Sequence, residues 1–516
     1  MSAVDAQPTR VLLGPTPSRW QPSLLRWHST RVSYHQAWAY ALRAVWATWR
    51  HTIFDFAADL PGHDDIISAR APVARFMLVR NPEYARHILV TNQDNYVKGV
   101  EYDLLAVGFG RGLVTNLDED SWRRHRRLMQ PVFAKRHVDG FAGQMTDAVT
   151  AAGNRWEAEY SDGRALDIAA EMKTVTLDII GRTMFGADFS GRTAEVQDAF
   201  ARLLRIFGRG LISGSGHPAR LIANLLWRIG PNRLAAQDPR LVIRVLRFFL
   251  RLGERKTFRG LVSLEQLVDR LIADYHATPA DARTDDNLLS LLLQAEDPDT
   301  GERFTDAEVR DELMTFLGAG HETTASGLAW TWMLLAQHPA ARERLHAEVD
   351  DVLGGRVPNA ADIPQLPWTN AIIQESMRLY PPVMGLTRVA ARDDVIDGIP
   401  IRAGTTVAVL IHGVHHHPGV WANPRQFDPA RFMPEATPPS SRQALMPFGA
   451  GKRMCIAAGF GSLEAALIVA MIAQRFELDL RPQKPIRREN TFTGGPEGAL
   501  WMDLRQRPDA GPVPGR

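Results

Sequence analysis

The only cysteine of the chain, Cys455, closes a segment that reads Pro-Phe-Gly-Ala-Gly-Lys-Arg-Met-Cys from 447 to 455. Its glycines carry no Cβ, so this backbone can approach a flat group closely. A helix is predicted from about 456 to 474, and its free N–H groups, with the charges of Lys452 and Arg453, favour a thiolate. An isolated cysteine is by default a small buried apolar residue, but this setting favours a thiolate that binds a metal.

A second segment reads Leu-Gly-Ala-Gly-His-Glu-Thr-Thr from 317 to 324, inside a helical pattern that covers about 305–337. Glycine costs a helix interior about 1 kcal/mol relative to alanine, so its presence calls for a reason. Small side chains at Ala319 and Gly320 would leave room for a ligand on one face. Glu322 and Thr323 set an acid beside a hydroxyl, a pair suited to proton delivery. Read alone, the segment equally fits a helix packed through its small residues.

Two further groups are charged pairs on predicted helices. Glu375 and Arg378 are three residues apart, and Trp122 and Arg126 are four apart, so each pair shares a helix face. The first pattern has no meaning alone, because surface helices contain it constantly. The second offers two donors suited to a carboxylate, within a basic run that otherwise reads as an exposed face.

Together these segments resemble the cytochrome P-450 family, whose Phe-x-x-Gly-x-Arg-x-Cys signature is matched by Phe448, Gly451, Arg453 and Cys455. The 319–324 segment matches the family's Ala/Gly-Gly-x-Asp/Glu-Thr-Thr motif, and the Glu-x-x-Arg and Trp-x-x-x-Arg pairs follow in the expected order. The family usually has glycine two residues after the cysteine, where this chain has Ala457. That methyl group bears on the spacing between helix and haem, not on the ligand.

The resemblance implies roles for individual residues. Cys455 would bind the iron of haem b, Thr323 would hydrogen-bond molecular oxygen, and Glu322 would relay protons. Glu375, Arg378 and Arg431 would form a buried network that serves folding and haem retention. The remaining haem-binding residues would be Trp122, Arg126, Arg388, Phe448 and Arg453, with the tryptophan and the arginines directed at the propionates.

The implied activity is that of a soluble, bacterial-type monooxygenase, which inserts one oxygen atom of O2 into an apolar, lipid-like substrate. No Gly-x-Gly-x-x-Gly fingerprint for a flavin or nicotinamide appears, so the electron donor would be a separate ferredoxin with an NAD(P)H-dependent reductase. Two alternatives stay open: a peroxygenase, isomerase or coupling enzyme on the same fold, and a non-catalytic haem sensor or carrier. By analogy, segments 92–115 and 200–233 would line the pocket, with apolar candidates at Phe109, Leu113, Phe207 and Leu211.

The substrate itself is not fixed by any motif. The resemblance favours a long-chain fatty acid, or another lipid such as a sterol or terpenoid. The formal net charge of +2, with basic residues spread along the chain, gives no indication of a nucleic-acid partner.

The composition and the positions of turn-forming residues predict the organisation of the chain. With 45% hydrophobic and 23% charged residues and no internal linker, residues 60–506 are expected to form one domain, after an extension at 1–59 and before a tail at 507–516. The predicted class is mainly α (α+β), with helices dominating 119–352 and breaks near 208–216 and 230–233. Predicted strands cover 71–80 and 387–411, the latter with a hairpin at Asp397-Gly398, and a closing hairpin covers 485–506 around Gly494-Gly495-Pro496.

Residues near the start of the chain indicate where in the cell the protein is expected to be. One cysteine excludes an internal disulfide, and residues 1–19 lack the apolar core of a signal peptide. Residues 36–57 are apolar but carry Arg43, Arg50, His51 and Asp55, so a spanning helix is not expected. We expect a cytoplasmic protein in which this segment packs on the domain as an amphipathic helix. The alternative is a helix lying at a membrane interface. The arginine-rich stretch 202–259 is expected to be a solvated helical face, with a surface that contacts anionic lipid or an acidic redox partner as the alternative.

Overall fold

The computed structural model describes residues 66–71, 74–99, 101–160, 162–186, 255–283, 287–436, 439–489 and 493–507, with eleven further positions between 196 and 252. The extension 1–59, the breaks near 208–216 and 230–233, and the side chains of Phe207 and Leu211 lie outside these residues.

Helices make up most of the described chain, as the sequence predicts. In chain order they are α1 Pro82–Arg86, α2 Glu101–Phe109, α3 Glu119–Met129, α4 Lys135–Gly140, α5 Ala142–Tyr160, α6 Ile168–Ile180, α7 Arg255–Ala277, α8 Leu288–Gln294, α9 Asp306–Gln337, α10 Pro339–Leu353, α11 Pro367–Leu379, α12 Ile411–His415, α13 Pro439–Ala444 and α14 Ala458–Arg475.

Helix α9 forms the axis of the core, and its start is encoded locally. Thr305 accepts a hydrogen bond from the Glu308 N–H at 3.3 Å, and the Glu308 carboxylate accepts the Thr305 N–H at 2.8 Å. This capping box satisfies donors that a helix start otherwise leaves free. Helices α6, α7 and α11 pack against α9, while α5 packs against α14. The predicted helix at 305–337 is therefore confirmed.

Short strands form three sheets. The strands are β1 Ile66–Ala71, β2 Ala74–Val79, β3 Tyr96–Val97, β4 Leu166–Asp167, β5 Leu386–Ala390, β6 Asp394–Ile396, β7 Ile399–Ile401, β8 Thr406–Val409, β9 Phe476–Leu480 and β10 Trp501–Gln506. The largest sheet has the order β1-β2-β8-β5-β3, with β2 parallel to β8 and the other neighbours antiparallel. It joins residues from both ends of the chain, as expected for the α+β class.

The hairpin predicted at Asp397-Gly398 is confirmed. Both residues have positive φ, 48° and 75°, and they connect the antiparallel strands β6 and β7. Two positive φ angles in a two-residue turn suit the right-handed twist of the flanking strands, which favours Asp-Gly at such positions.

Of the two other predicted strand regions, one agrees with the structure and one does not. The strand predicted at 71–80 is present as β2, and β1 precedes it as an antiparallel partner that the sequence did not predict. The closing hairpin at 485–506 is wrong in its pairing. β10 pairs with β9 and β4, and residues near Gly494 contribute only a bridge between Arg488 and Pro496. Sequence patterns indicate a strand but carry no information on a distant partner.

Two observations bear on the predicted flanks. Ordered contacts reach Arg507, which was assigned to the tail and pairs with Asp350 at 2.5 Å. Within the described residues, no helix is long and apolar enough to cross a membrane.

Candidate active site

The loop before α14 is shaped by its glycines. Gly449 and Gly451 have φ of 74° and 71°, the left-handed region that other residues avoid. A Cβ on Gly451 would lie 2.9 Å from the Leu89 carbonyl carbon and closer still to its oxygen. The predicted close approach therefore exists, but its partner in the structure is the backbone at Leu89.

The Cys455 N–H donates to the Phe448 carbonyl at 3.0 Å. Burial raises the pKa of the Cys455 thiol, while the Ala457 N–H and the charge of Arg126 act to lower it. Of the predicted thiolate-favouring effects, the N–H group at the start of α14 is present, and the charge that acts on the thiol is that of Arg126, which was not predicted. Burial outweighs both.

Ala457, where glycine is usual in the family, has φ of −90° and forms the N-cap of α14. Alanine adopts this conformation without strain, so the substitution is compatible with the loop. Lys452 departs from the expectation more clearly. Its ammonium lies 2.7 Å from Asp94 and 2.6 Å from Glu119, so its charge is neutralised by acids.

Helix α3 lies beside the cysteine loop. Arg126 donates to the Met454 carbonyl at 2.8 Å, and the Arg453 guanidinium stacks over the Trp122 ring at 3.8 Å. Arg453 also pairs with Glu119 at 2.7 Å. The structure thus gathers Trp122, Arg126, Arg453 and Cys455, which are separated by up to 333 positions in the sequence.

A cationic cluster, defined as Lys98, Arg388 and Arg453, adjoins this group. Lys98 donates to the Leu113 and Val114 carbonyls at 3.1 and 2.6 Å, and Arg388 donates to the Thr387 carbonyl at 2.7 Å. Burial lowers the pKa of Lys98 well below its ordinary value, and the charges of Arg453 and Arg388 lower it further.

Two members of the cationic cluster have no acidic partner in the described part of the chain. Among the residues that the structure describes, neither Lys98 nor Arg388 makes an ion pair. Enclosed cations that repel one another call for an anion between them. Sequence reasoning missed Lys98, because a lone lysine after a two-residue strand belongs to no recognisable pattern.

The Glu322 carboxylate and the Thr323 hydroxyl of α9 have different partners. Thr323 donates to the Ala319 carbonyl at 2.7 Å. Glu322 is buried and pairs with Lys173 of α6 at 3.0 Å. A Cβ on Gly461 of α14 would lie 3.8 Å from the Phe448 ring and 3.9 Å from the Thr324 hydroxyl, so this part of α9 lies near the cysteine loop.

The glycines of α9 provide packing space. A Cβ on Gly320 would lie 2.9 Å from Ile180, and one on Gly318 would overlap the Phe109 ring and lie 2.6 Å from Phe200. Room for a ligand, expected from Gly320, is therefore used by a neighbouring helix. Only the tertiary structure distinguishes these two uses of a small residue.

The Glu375 network is assembled as expected. Arg378 binds Glu375 through two hydrogen bonds of 2.6 and 2.8 Å, and Arg431 lies 3.3 Å from the same carboxylate. Arg378 also donates to three backbone carbonyls that precede the cysteine loop, those of His415, Pro424 and Gln426. The network therefore fixes the chain leading to Cys455.

These residues fit a haem. The thiol of Cys455 would supply a ligand for iron, and the cationic cluster would supply charge for two propionates. The indole N–H of Trp122 has no acceptor within the described part of the chain, which leaves it free for the same anions.

Comparison with known proteins also indicates a haem protein. The Cytochrome P450 family model matches residues 61–501. The chain is 34% identical to cyclooctat-9-en-7-ol 5-monooxygenase of Streptomyces melanosporofaciens, over 84% of this chain and 86% of that protein. It is 31% identical to pentalenene oxygenase of Streptomyces avermitilis, over 84% and 88%. The crystal structure of the cytochrome P450DA heme domain superposes with a TM-score of 0.75 and 27% identity, covering 91% of this chain and 95% of that one. The chain therefore belongs to the cytochrome P450 family of haem-dependent monooxygenases.

Proposed function

We propose that this monooxygenase inserts oxygen into an apolar, lipid-like substrate, with a cyclic terpenoid as the first candidate and a long-chain fatty acid as the second. The observation that carries the site is the contact of Arg126 with the Met454 carbonyl, next to Cys455, with Arg453 stacked on Trp122 beside it. The haem, when bound, supplies oxygen activation, and the thiolate donates electron density that favours O–O cleavage. In this proposal Cys455 is the axial ligand, and Trp122, Arg126, Arg388 and Arg453 hold the propionates beside Phe448.

We assign Lys98 to the propionates as well, because its ammonium lies among the same guanidinium groups. Bringing a dianion there would replace repulsion between cations with charge-assisted hydrogen bonds. The role of Glu375, Arg378 and Arg431 in this proposal is to hold the chain before the cysteine loop, because the two arginines donate to backbone carbonyls of that segment.

Thr323 and Glu322 are the proposed proton-delivery pair. The ion pair between Glu322 and Lys173 borders a cavity of about 150 Å³, which Gln197, Ser326 and Gly495 help to line. Such a volume holds several waters at about 30 Å³ each. In this proposal a proton moves from the cavity to the Glu322 carboxylate and then to the Thr323 hydroxyl, which is hydrogen-bonded to the Ala319 carbonyl.

The substrate proposal is supported by two kinds of observation. Stacked Phe109 and Phe200, with ring centroids 5.7 Å apart, lie over Gly318 one turn before the oxygen-binding segment. Rigid aromatic walls suit compact hydrocarbons better than long flexible chains. In addition, the two terpene-related names among the relatives belong to proteins that match more than four fifths of this chain.

A separate ferredoxin, reduced by an NAD(P)H-dependent reductase, is the proposed electron donor. Met454, next to the cysteine, is 42% exposed, and the side chain of Arg123 on α3 is 58% exposed. Such a surface suits an acidic partner close to the thiolate. We propose a cytoplasmic location, with contact of residues 36–57 with a membrane interface as the alternative to packing on the domain.

The first experiment is the difference spectrum of dithionite-reduced protein with and without carbon monoxide, for wild type and Cys455→His. Thiolate ligation predicts a strongly red-shifted Soret band in wild type that the variant loses. A histidine-like spectrum in wild type would refute the assignment of Cys455. Wild type would then be titrated with a cyclic sesquiterpene and with dodecanoic acid, and the spin-state shift would rank the two substrate classes.

The peroxygenase alternative is separated by supplying hydrogen peroxide in place of electrons. Thr323→Ala is expected to lower product per electron consumed under oxygen, because the proposed proton path is interrupted, and to leave the peroxide-driven reaction nearly unchanged. Thr323→Ser, which keeps the hydroxyl, is the matched control. Equal loss in both reactions would contradict the proton-delivery role.

A further inference from the structure

The chain between α2 and α3 turns sharply at residues 109–113, and α9 holds this turn through side chains. Three hydrogen bonds connect them: Arg111 N–H to Asp311 at 2.9 Å, Leu113 N–H to Glu312 at 3.0 Å, and the Thr315 hydroxyl to the Phe109 carbonyl at 3.0 Å. Backbone donors in a buried turn need acceptors, and here distant carboxylates provide them.

No space separates the turn from α9. A Cβ on Gly110 would overlap the Asp311 carboxylate, and one on Gly112 would lie 2.8 Å from the Glu312 carboxylate. Gly110 also has φ of 66°. The turn therefore fits only against these acids and only with glycine at both positions.

Glu312 is the buried member of this contact, with no exposed surface, and His125 of α3 is its partner. The His125 Nδ1 lies 2.7 Å from one Glu312 oxygen, while the other oxygen accepts the Leu113 N–H. The His125 Nε2 lies 3.3 Å from Glu308. Glu312 thus joins three elements: the turn, α3 and α9.

The geometry indicates the protonation state of His125. Both ring nitrogens face carboxylate oxygens, which only accept, so an imidazolium with two N–H donors satisfies both contacts. Burial acts to lower the pKa of His125, but the hydrogen bonds and charges of Glu312 and Glu308 outweigh it and raise the pKa. Asp311 also lies near, and Arg124 of the same helix pairs with Glu308 at 2.7 Å.

The turn carries Phe109 toward the oxygen-binding segment. Phe109 stacks on Phe200, and both rings lie where a side chain on Gly318 would otherwise be. His125 belongs to the same helix as Trp122 and Arg126. Trp122 and Arg126 have their own contacts with Arg453 and the Met454 carbonyl, which do not involve Glu312. Movement at Glu312 is therefore expected to shift the aromatic wall and to leave the residues around Cys455 in contact.

We propose that Glu312 and His125 are positioning residues that hold the turn 109–113, and that they thereby fix Phe109 as a rigid wall of the substrate pocket. This inference rests on the proposed function only in that the space beside Phe109 receives the substrate. The expected consequence is that large ligands depend on the pair and small ligands do not.

The test uses two iron-binding probes of different size, imidazole and 4-phenylimidazole, on the haem-loaded full chain. Glu312→Gln keeps an acceptor for Leu113 but removes the charge that holds His125. The double variant Glu312→Leu with His125→Phe removes both partners, so no buried charge is left alone. Asp269→Asn, which breaks the exposed pair with Arg310 on α9, is the matched control.

We expect the carbon monoxide spectrum and imidazole affinity to stay near wild type, while 4-phenylimidazole binds about tenfold more weakly to the double variant. Amide exchange, followed by mass spectrometry on peptides covering 109–116, should accelerate in both Glu312 variants and not in Asp269→Asn. This second readout does not need haem.

Unchanged exchange would overturn the proposal, because the turn would then not depend on the pair. Faster exchange with an unchanged ratio of the two azole affinities would also overturn it, since Phe109 would not form the wall. If exchange responds while neither azole binds wild type, the holding of the turn is supported and the proposed function fails.

Discussion

The cysteine loop allows a sharp test through Gly451. A Gly451→Ala substitution has two costs that the structure separates. With φ of 71°, alanine is strained by about 1–2 kcal/mol. The new methyl group would also lie 2.6 Å from the Gln93 side chain and 2.9 Å from the Leu89 carbonyl carbon, so the backbone at 89 must move. Overpacking of this kind costs about 1–3 kcal/mol, which gives about 2–5 kcal/mol in total.

Gly355 provides the control for strain alone. Its φ is 82°, and a Cβ there would meet nothing within 4 Å. Gly355→Ala is therefore expected to lose about 1–2 kcal/mol and to keep its haem. The free energy of unfolding in urea and the Soret absorbance per protein would be measured for both variants.

Gly451→Ala is expected to be less stable than Gly355→Ala by at least about 1 kcal/mol and to retain less haem, because Cys455 follows the displaced loop. Equal losses in the two variants would show that conformational strain accounts for both. The close approach to Leu89 would then contribute nothing to the loss of stability, and the predicted cost of overpacking would be refuted.

Three further predictions concern buried charges. Glu375→Gln should destabilise the chain by about 3–5 kcal/mol in urea unfolding, because Arg378 is left buried without its partner; wild-type stability would contradict this. Burial raises the pKa of Glu464 from 4.5 to about 8, so the folded chain holds a proton that the unfolded chain releases. Stability should therefore fall as pH rises from 4.5 to about 8, by up to about 5 kcal/mol, and Glu464→Gln should remove that slope; the same slope in both proteins would exclude Glu464 as its source. Lys98→Met should stabilise the haem-free chain by relieving repulsion from Arg453, yet speed haem transfer to apomyoglobin on the order of tenfold; slower transfer would contradict a propionate contact.

Much of the fold followed from local signals. The capping box at Thr305 and Glu308 begins α9, Pro367 stands in the first turn of α11, and Asp397-Gly398 makes the β6–β7 turn. Each feature depends on residues within a few positions of one another, so backbone geometry and hydrogen bonding make it readable from sequence.

Pairings between distant segments were not readable in the same way. β10 joins β9 and not a neighbour in the 485–496 region, and the antiparallel partner of the strand predicted at 71–80 is β1, which the sequence did not predict. Gly318 and Gly320 leave the space that the side chains of Phe109, Phe200 and Ile180 occupy. Small residues and short strands accept many partners, and their partners are selected by packing.

The sequence by itself determined the family, the ligand candidate Cys455 and the residues that accompany it, because those motifs combine rare residue types at fixed spacings. Only the tertiary structure decided which groups surround each charged side chain. It places Lys452 against acids, Lys98 among arginines and Glu322 against Lys173. Such contacts depend on the burial and separation of groups far apart in the chain, and electrostatic energy varies with both.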